Sequence, residues 1–257
     1  MKENLLKDAG DDRFPHAASL GVDNLYRYQS LPRLLLSDAS SSSELEKAAV
    51  KAERELAIER LRELLINQWL FHAPPSYMND PFEARPHYQQ PENVEDTSKL
   101  RRHLEQVAKE NGLSFKERKY KAGLLMARPQ RRASEIQENF YKSFESNRLS
   151  SFTTRPGDLL FWSHYGDSHR GICFEYASDR PPIGAAFKVQ YSDDYPSLPY
   201  PADHPLDMLG PLLTKSTHWS HENEFRTLIH PGDTSPSFQT LNKDQTHLLI
   251  PDNALTV

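Results

Sequence analysis

The sequence predicts an α+β fold with a mixed or antiparallel central sheet, accompanying helices and a helical insertion in the middle of the chain. Two observations predict this class. Helical periodicity dominates residues of about 96–147, and segments that alternate like strands lie on both sides of them. In addition, 37% of the 257 residues are hydrophobic and 10% are aromatic, which supports a buried core and excludes generalised disorder. We expect one domain over residues 23–257, preceded by a flexible polar arm at 1–22.

The first elements are a short strand and a long helix. Residues 24–28 alternate aromatic and polar side chains, which is typical of a strand. Ser43 and Glu46 have the spacing of a capping box, and an apolar stripe from Leu45 to Leu65 predicts the helix that comes next. The next elements are a strand at 68–72 and, after two prolines, a turn at 76–82.

The middle of the chain is helical and the last part returns to strands. Gly112 and Pro129 break the insertion into two or three helices, the last at about 132–147. The elements predicted after it are a strand at 149–154, a short helix at 159–165, strands at 171–176 and 186–191, a loop at 193–206, a helix at about 206–216, and strands at 224–229 and 248–250.

Several classes of protein are excluded by what the sequence lacks. A single cysteine, Cys173, allows neither an intramolecular disulfide nor a cysteine-based zinc site. No segment approaches the roughly 20 apolar residues of a membrane span, and the N-terminal residues lack the apolar core of a signal peptide. We therefore expect a cytoplasmic protein, or an effector exported without a signal peptide. The sequence also has no glycine-rich phosphate loop, HExxH motif or GxSxG motif.

Charge is concentrated in one window. Residues 99–132 carry eleven basic and three acidic side chains, a net charge of +8 in a chain whose net charge is -5. Such a window can bind nucleic acid through phosphate charge. It is also typical of a solvated face of surface helices, and the sequence favours this second interpretation.

Two clusters of residues in the first third of the chain suggest a binding site. Arg27 lies between Tyr26 and Tyr28, so a guanidinium that binds phosphate or carboxylate is flanked by two rings. Asn79 and Asp80 lie in a turn that could cover a site. Structural alternatives are an edge strand with a solvated arginine and a turn with no further role.

Two further clusters lie in the second half of the chain. Trp162, His164 and Tyr165 on the predicted short helix could stack on a base or a nicotinamide-like ring, although they are equally consistent with buried aromatic residues. Glu222 and Glu224 have strand spacing, which predicts two carboxylates on one face. They could orient a hydroxyl or bind a metal, or lie on a solvated face with Glu224 paired to a basic residue.

Five segments together resemble the bacterial and phage-borne domain of unknown function number 2971. They are LYRY at 25–28, FHAPPSYMNDPFE at 71–83, SFTT at 151–154, FWSHYGDSHRGICFEY at 161–176 and WSHENEFR at 219–226. The resemblance covers residues 24 to about 230, and the two tryptophan-containing blocks are its most specific parts. Met78 stands where that family more often has Phe or Leu. The resemblance implies membership of the family rather than a particular activity.

A second resemblance suggests a chemistry. ADP-ribosyltransferases of the arginine-serine-glutamate type have an arginine on an early strand, an S-T-S-like strand and a later E-x-E motif, and this chain has Arg27, Ser151–Thr153 and Glu222–Glu224 in that order. Phe152 stands where the pattern has its middle Thr. The resemblance implies that Arg27 binds a phosphate of NAD, that Ser151 supports the glutamate and the nicotinamide ribose, and that Glu224 stabilises the transition state while Glu222 activates the acceptor.

The sequence thus leaves three hypotheses about function. The first is an NAD-using, ADP-ribosyltransferase-like toxin, effector or phage-defence protein, with NAD as a substrate, no resident metal and an unidentified acceptor. The second is a non-catalytic module of a defence system that binds a ligand or nucleic acid. The third is a metal-dependent nuclease or phosphoesterase built on Glu222, Glu224, His164 and Asp80. We predict one pocket bordered by Tyr26, Arg27, Asn79, Asp80, Trp162, His164, Tyr165, Glu222, Glu224 and Arg226. For the first hypothesis, Ser151 is a further candidate catalytic residue, and Tyr28 and Thr153 are further candidate binding residues.

Overall fold

The computed structural model describes residues 13–30, 44–80, 83–230, 240–251 and 254–256, and within them it confirms the α+β class. The helices are α1 (Glu44–Leu65), α2 (Val94–Glu110), α3 (Phe115–Met126), α4 (Pro129–Glu145) and α5 (Leu159–His164). The strands are β1 (Asn24–Gln29), β2 (Trp69–Phe71), β3 (His87–Gln89), β4 (Arg148–Thr153), β5 (Ile172–Ala177), β6 (Phe187–Lys188), β7 (Gln190–Ser192), β8 (Ser197–Pro199), β9 (Thr214–Ser216), β10 (Glu224–Ile229), β11 (His247–Leu249) and β12 (Leu255–Thr256).

Contacts between residues divide the chain into two compact units. The sheet unit combines Met1–Tyr77, Asn147–Val189 and His218–Val257, and the helical unit combines Met78–Ser146 and Gln190–Thr217. The sequence predicted one domain over 23–257 with a helical insertion. The predicted insertion at about 96–147 lies almost entirely in the helical unit, together with the later segment Gln190–Thr217.

The sheet unit is built on a six-stranded sheet in the order β12-β5-β1-β4-β10-β6, in which every neighbouring pair is antiparallel. Successive side chains of a strand lie on opposite faces of a sheet. One face carries the hydrophobic core, to which α1 and β2 also contribute; its members include Leu25, Phe152, Phe174, Tyr176, Phe225, Leu64 and Leu70. Each fully buried side chain of this kind contributes roughly 1.5–3 kcal/mol. We call this side of the sheet the core face.

The helical unit contains α2, α3 and α4 and two parallel pairs of short strands, β3 with β8 and β7 with β9. The predicted breaks are confirmed: Gly112 has a φ of 80° between α2 and α3, and Pro129 occupies the first turn of α4. Ser114 and Glu117 form a capping box that begins α3. The buried side chains of the three helices include Leu100, Ala108, Ala122, Ile136, Phe140 and Phe144.

The helix predicted at about 206–216 is wrong. Two short 3₁₀ helices, Pro205–Met208 and Gly210–Leu212, are followed there by β9. Gly210 weakens a helix and Pro211 cannot donate a backbone hydrogen bond, so a continuous α-helix is unfavourable. The single strand predicted at 186–191 is two strands: β6 pairs with β10, and β7 pairs with β9.

Residues 13–22 pack against the sheet unit, although the sequence predicted that they belong to a loose arm. Phe14 and Ala17 are buried, and the Ala17 amide donates a hydrogen bond to the Ala186 carbonyl at 2.9 Å. Residues 1–12, the predicted Ser43 cap and residues 81 and 82 of the predicted turn lie outside the described residues. In the described part of the chain, no helix combines the length and apolar character needed to cross a membrane.

Candidate functional site

The register of three neighbouring strands places most of the predicted site residues on one face of the sheet. Tyr26 lies opposite Thr153, and Thr153 lies opposite Glu224, so the three form a row across β1, β4 and β10. Two residues further along β4 and β10, Ser151 lies opposite Arg226. Because side chains alternate, this face is the one opposite the core face. We call it the polar face; its members are Tyr26, Tyr28, Ser151, Thr153, Glu224 and Arg226.

Glu224 and Arg226 form a buried ion pair on the polar face. The Arg226 Nε donates to Glu224 Oε1 at 2.6 Å, and Nη2 donates to Oε2 at 3.0 Å. The two side chains are only 5% and 0% exposed. A bidentate contact of this kind fixes the orientation of the carboxylate. Each partner also balances a charge whose burial alone would cost several kcal/mol.

Glu222 also lies near the polar face, but it belongs to a 3₁₀ helix and not to the strand on which the sequence placed it. It ends a 3₁₀ helix (Thr217–Glu222), and Asn223, with a φ of 44°, adopts the left-handed conformation before β10 begins. The strand alternation that was expected to place Glu222 and Glu224 on one face is therefore wrong. Asn tolerates the left-handed region, so the chain can turn at this position.

Hydrogen bonds hold Glu222 beside the row of strand residues. Its backbone carbonyl accepts from Thr153 Oγ1 at 2.7 Å, and its carboxylate Oε1 accepts from the Tyr165 hydroxyl at 2.5 Å. Glu222 is buried and Tyr165 is half-buried. Two carboxylates, Glu222 and Glu224, therefore flank Thr153, each with a defined partner of its own.

Aromatic side chains of α5 pack against Tyr28 of the polar face. The Tyr28 ring lies 5.3 Å from the Phe161 ring and 5.0 Å from the Trp162 ring, and the Tyr28 hydroxyl donates to the Arg155 carbonyl at 2.7 Å. The Trp162 indole N–H donates to the Pro156 carbonyl at 3.2 Å, whereas His164 is exposed. Tyr28 lies opposite Cys173 of β5. Burial raises the pKa of the Tyr28 hydroxyl, and burial also raises the pKa of the Cys173 thiol to about 11.

Arg27 does not join this group of side chains. It lies opposite Phe174 on the core face, where its Nη1 donates to the Phe71 carbonyl at 3.1 Å and to the Ser150 hydroxyl. Burial lowers the pKa of the guanidinium. The prediction that Arg27 shares a pocket with Glu224 is therefore wrong, because adjacent residues of a strand face opposite sides of the sheet.

Asn79 and Asp80 belong to the helical unit, where they lie close to charged residues that the sequence did not single out. Lys215 Nζ lies 3.6 Å from Glu83 Oε1 and donates to Asn79 Oδ1 at 3.4 Å. The Lys215 and Glu83 side chains are 3% and 1% exposed, and Asp80 is buried. Glu83 is the last residue of the FHAPPSYMNDPFE segment, and this position was the sequence feature that could have identified it as a candidate. No feature of the sequence around Lys215 predicted its pairing with Glu83.

The helical unit also contains a cavity of about 230 Å³ that no predicted site residue lines. Its lining includes Asp96, Lys99, Tyr200 and Asp203, and Lys99 forms an ion pair with Asp203 there. No group of three or more His, Cys, Asp or Glu side chains that could hold a metal ion is found within the described ranges.

Comparison with known proteins adds no further assignment. No family model matches the chain, and neither a curated protein nor a solved structure matches it. The two resemblances based on short motifs therefore stay hypotheses, and a functional assignment depends on the geometry of the polar face.

Proposed function

We propose that the polar face of the sheet unit binds NAD and transfers its ADP-ribose group to an acceptor, as expected of a toxin, effector or phage-defence enzyme. The observation that carries this proposal is the row of Tyr26, Thr153 and Glu224 across three neighbouring strands, with Glu222 hydrogen-bonded to Thr153. The row keeps the last two members of the transferase pattern in order, whereas the arginine of the pattern, Arg27, lies on the core face. The row replaces Arg27 at the first position by Tyr26.

In this proposal Glu224 is the carboxylate that stabilises the transition state. A carboxylate has about four acceptor positions. In this proposal Glu224, which accepts two hydrogen bonds from Arg226, also accepts one from the ribose 2′-hydroxyl. A negative charge fixed next to ribose C1′ favours the oxocarbenium-like state that forms as nicotinamide departs. Arg226 is a positioning residue, because it acts through Glu224.

Glu222 is the proposed base for the acceptor. The bond between nicotinamide and ribose C1′ breaks, and nicotinamide leaves with the bonding electrons. The nucleophilic atom of the acceptor then bonds to C1′ and its proton passes to the Glu222 carboxylate. Tyr165, which donates a hydrogen bond to Glu222, holds that carboxylate in place. Half-buried Tyr26 and Ser151 supply the accessible part of the site.

The decisive experiment uses the wild-type protein and NAD labelled in its adenylate part, with and without bacterial lysate. We expect NAD binding by calorimetry, release of nicotinamide and transfer of the label to a macromolecule. Glu222→Gln should keep NAD hydrolysis and lose transfer, whereas Glu224→Gln should lower turnover on the order of 10²–10³-fold with little change in NAD affinity. Glu55→Gln, at a 70% exposed position of α1, is the matched control.

Three results would contradict the proposal. Absence of NAD binding and of any labelled product would leave the binding-module hypothesis. NAD binding without nicotinamide release would indicate a non-catalytic nucleotide receptor. Phosphodiester cleavage that depends on added metal would favour the nuclease hypothesis. Circular dichroism of each variant separates loss of chemistry from loss of folding, and the wild-type assays do not depend on any variant.

A further inference from the structure

Helix α3 of the helical unit has a solvent-exposed basic and aromatic face. The buried side of α3 includes Ala122, which is 1% exposed, whereas Tyr120 is 74% exposed. Lys116 and Tyr120 are four residues apart and therefore neighbours on the outer side of the helix. Lys119 and Lys121 flank Tyr120, and both are exposed. We call Lys116, Lys119, Tyr120 and Lys121 the α3 surface.

The lysines of the α3 surface carry positive charges that no acidic side chain in the described part of the chain pairs with. Among the described residues none of its three lysines forms an ion pair, although Arg101, Arg131 and other basic residues of the helical unit do so with acids one turn away. Glu117, the acid within α3, is engaged in the capping box, where its carboxylate accepts from the Ser114 amide at 2.9 Å. The face therefore presents a net positive charge to solvent.

The aromatic residue at the centre of this surface, Tyr120, is largely exposed to solvent. Phe115, at the start of α3, already has cations near its ring, since the Arg118 guanidinium carbon lies 4.9 Å and Lys119 Nζ 5.2 Å from the ring centroid. Tyr120, by contrast, stacks on no other ring within the described part of the chain and makes no cation contact there. A ring that is 74% exposed is accessible to a stacking partner.

We infer that the α3 surface binds single-stranded nucleic acid. Lysines contact the phosphate backbone, and Tyr120 stacks on an unpaired base; this pairing of cations and exposed rings is what sequence-tolerant single-strand binding requires. Duplex bases are already stacked and offer no free base to Tyr120. A membrane-surface helix needs a continuous apolar face, whereas the exposed Phe115, Tyr120 and Leu124 of α3 are interrupted by exposed lysines. This inference depends on the helical unit alone, not on the proposed NAD chemistry.

Nucleic-acid binding by the α3 surface goes beyond the solvated helical face that the sequence favoured. From sequence alone, residues 99–132 are predicted to be solvated helices. The structure shows that some of those charges are internally paired, including Lys99 with Asp203 and Arg101 with Glu105, while the unpaired lysines of α3 surround an exposed ring. Pairing and exposure, rather than the count of basic residues, identify the surface.

The test is fluorescence anisotropy of the full chain with fluorescein-labelled oligo(dT) and oligo(U) of about 20 nucleotides, longer than the site of a single binding module. If three lysines neutralise three phosphates, affinity should fall about 20-fold between 50 and 200 mM salt, from a slope of roughly -0.7 per phosphate. Lys119→Glu/Lys121→Glu should abolish binding. Lys51→Glu/Lys142→Glu, which changes the charge equally at exposed positions of α1 and α4, should retain most of it.

Substitutions of Tyr120 distinguish binding by base stacking from binding by charge attraction alone. Tyr120→Ala should weaken binding roughly 5- to 150-fold, the range for loss of one stacked base, while Tyr120→Phe keeps the ring and should bind nearly as well as the wild type. Ala has a higher helix propensity than Tyr, so a folding defect is not expected. Thermal unfolding of each variant verifies this.

The inference would be overturned by no binding at about 50 mM salt, where phosphate contacts are strong, by binding that survives Lys119→Glu/Lys121→Glu, or by equal binding of Tyr120→Ala. It would also be overturned if duplex DNA bound as tightly as the single strands, or if vesicles containing phosphatidylserine bound and the oligonucleotides did not. Nicotinamide release measured on the same preparations reports separately on the sheet unit, so failure of one proposal is distinguishable from failure of the other.

Discussion

Replacing Arg226 by Met tests the buried ion pair of the polar face. The substitution keeps a long side chain but leaves the Glu224 carboxylate in the interior without the donors at 2.6 and 3.0 Å. Because both side chains are at most 5% exposed, solvent screens the interaction weakly. Removal of one partner from a buried pair costs about 3–5 kcal/mol. In a chain of this size that corresponds to a fall of about 10 °C in the melting temperature of the sheet unit.

A double-mutant cycle isolates the pair from other effects of the substitution. Glu224→Gln removes the negative charge that Arg226 contacts at 2.6 and 3.0 Å, and Glu224→Gln/Arg226→Met removes both charges. We expect the double variant to be more stable than the sum of the single losses predicts, by at least about 2 kcal/mol. Urea unfolding followed by tryptophan fluorescence and circular dichroism gives the three free energies, with the two units fitted separately if two transitions appear. A coupling free energy near zero, or a loss below about 1 kcal/mol for Arg226→Met, would refute the argument that burial makes this pair strong.

Three further outcomes are expected from the geometry of the sheet unit. Burial lowers the pKa of His72 to about 3, so between this value and about 6.5 the unfolded chain binds a proton that the folded chain does not. The free energy of unfolding should therefore fall by up to about 1.4 kcal/mol per pH unit as the pH drops from about 6.5 towards 3. His72→Gln should reduce this slope in urea titrations at several pH values. Gly171→Ala would place a Cβ 2.4 Å from the Gln29 carbonyl oxygen and should destabilise by about 1–3 kcal/mol, whereas Gly157→Ala, with no atom within 4 Å of its new Cβ, should change stability by less than about 1 kcal/mol. Tyr165→Phe removes the hydroxyl that donates to a buried carboxylate and should cost about 1–3 kcal/mol in the same assay; an unchanged midpoint would show that this hydrogen bond is not formed in solution.

Much of the polar face could be predicted from the period of a strand. Tyr26 with Tyr28, Ser151 with Thr153, and Glu224 with Arg226 are each two residues apart, so each pair shares a face without any knowledge of the fold. The same rule excludes Arg27 from the polar face once Tyr26 is placed on it, because adjacent residues of a strand lie on opposite faces. The prediction that places Tyr26, Arg27 and Tyr28 in one cluster because of their chemistry does not apply the alternation of faces along a strand.

Other features depended on information that no local pattern contains. The register that aligns Thr153 with both Tyr26 and Glu224 is set by contacts between distant segments. The left-handed conformation of Asn223 is a single backbone choice that interrupts an otherwise good strand pattern. The Lys215–Glu83 pair joins residues far apart in the chain, and each of them alone resembles an ordinary surface charge.

The order of the strands in the sheet determines when the polar face can exist during synthesis. Tyr26, Thr153 and Glu224 are neighbours in the sheet, yet 198 residues separate the first from the last. Pairings between such distant segments form slowly, because a long loop must close before any contact stabilises it. Helices α2, α3 and α4, in contrast, succeed one another within 94–145, so the contacts among them join nearby segments. A nascent chain in which the segment 222–229 has not yet left the ribosome therefore lacks the two carboxylates of the proposed catalytic site, so any NAD chemistry begins only after that segment has been made.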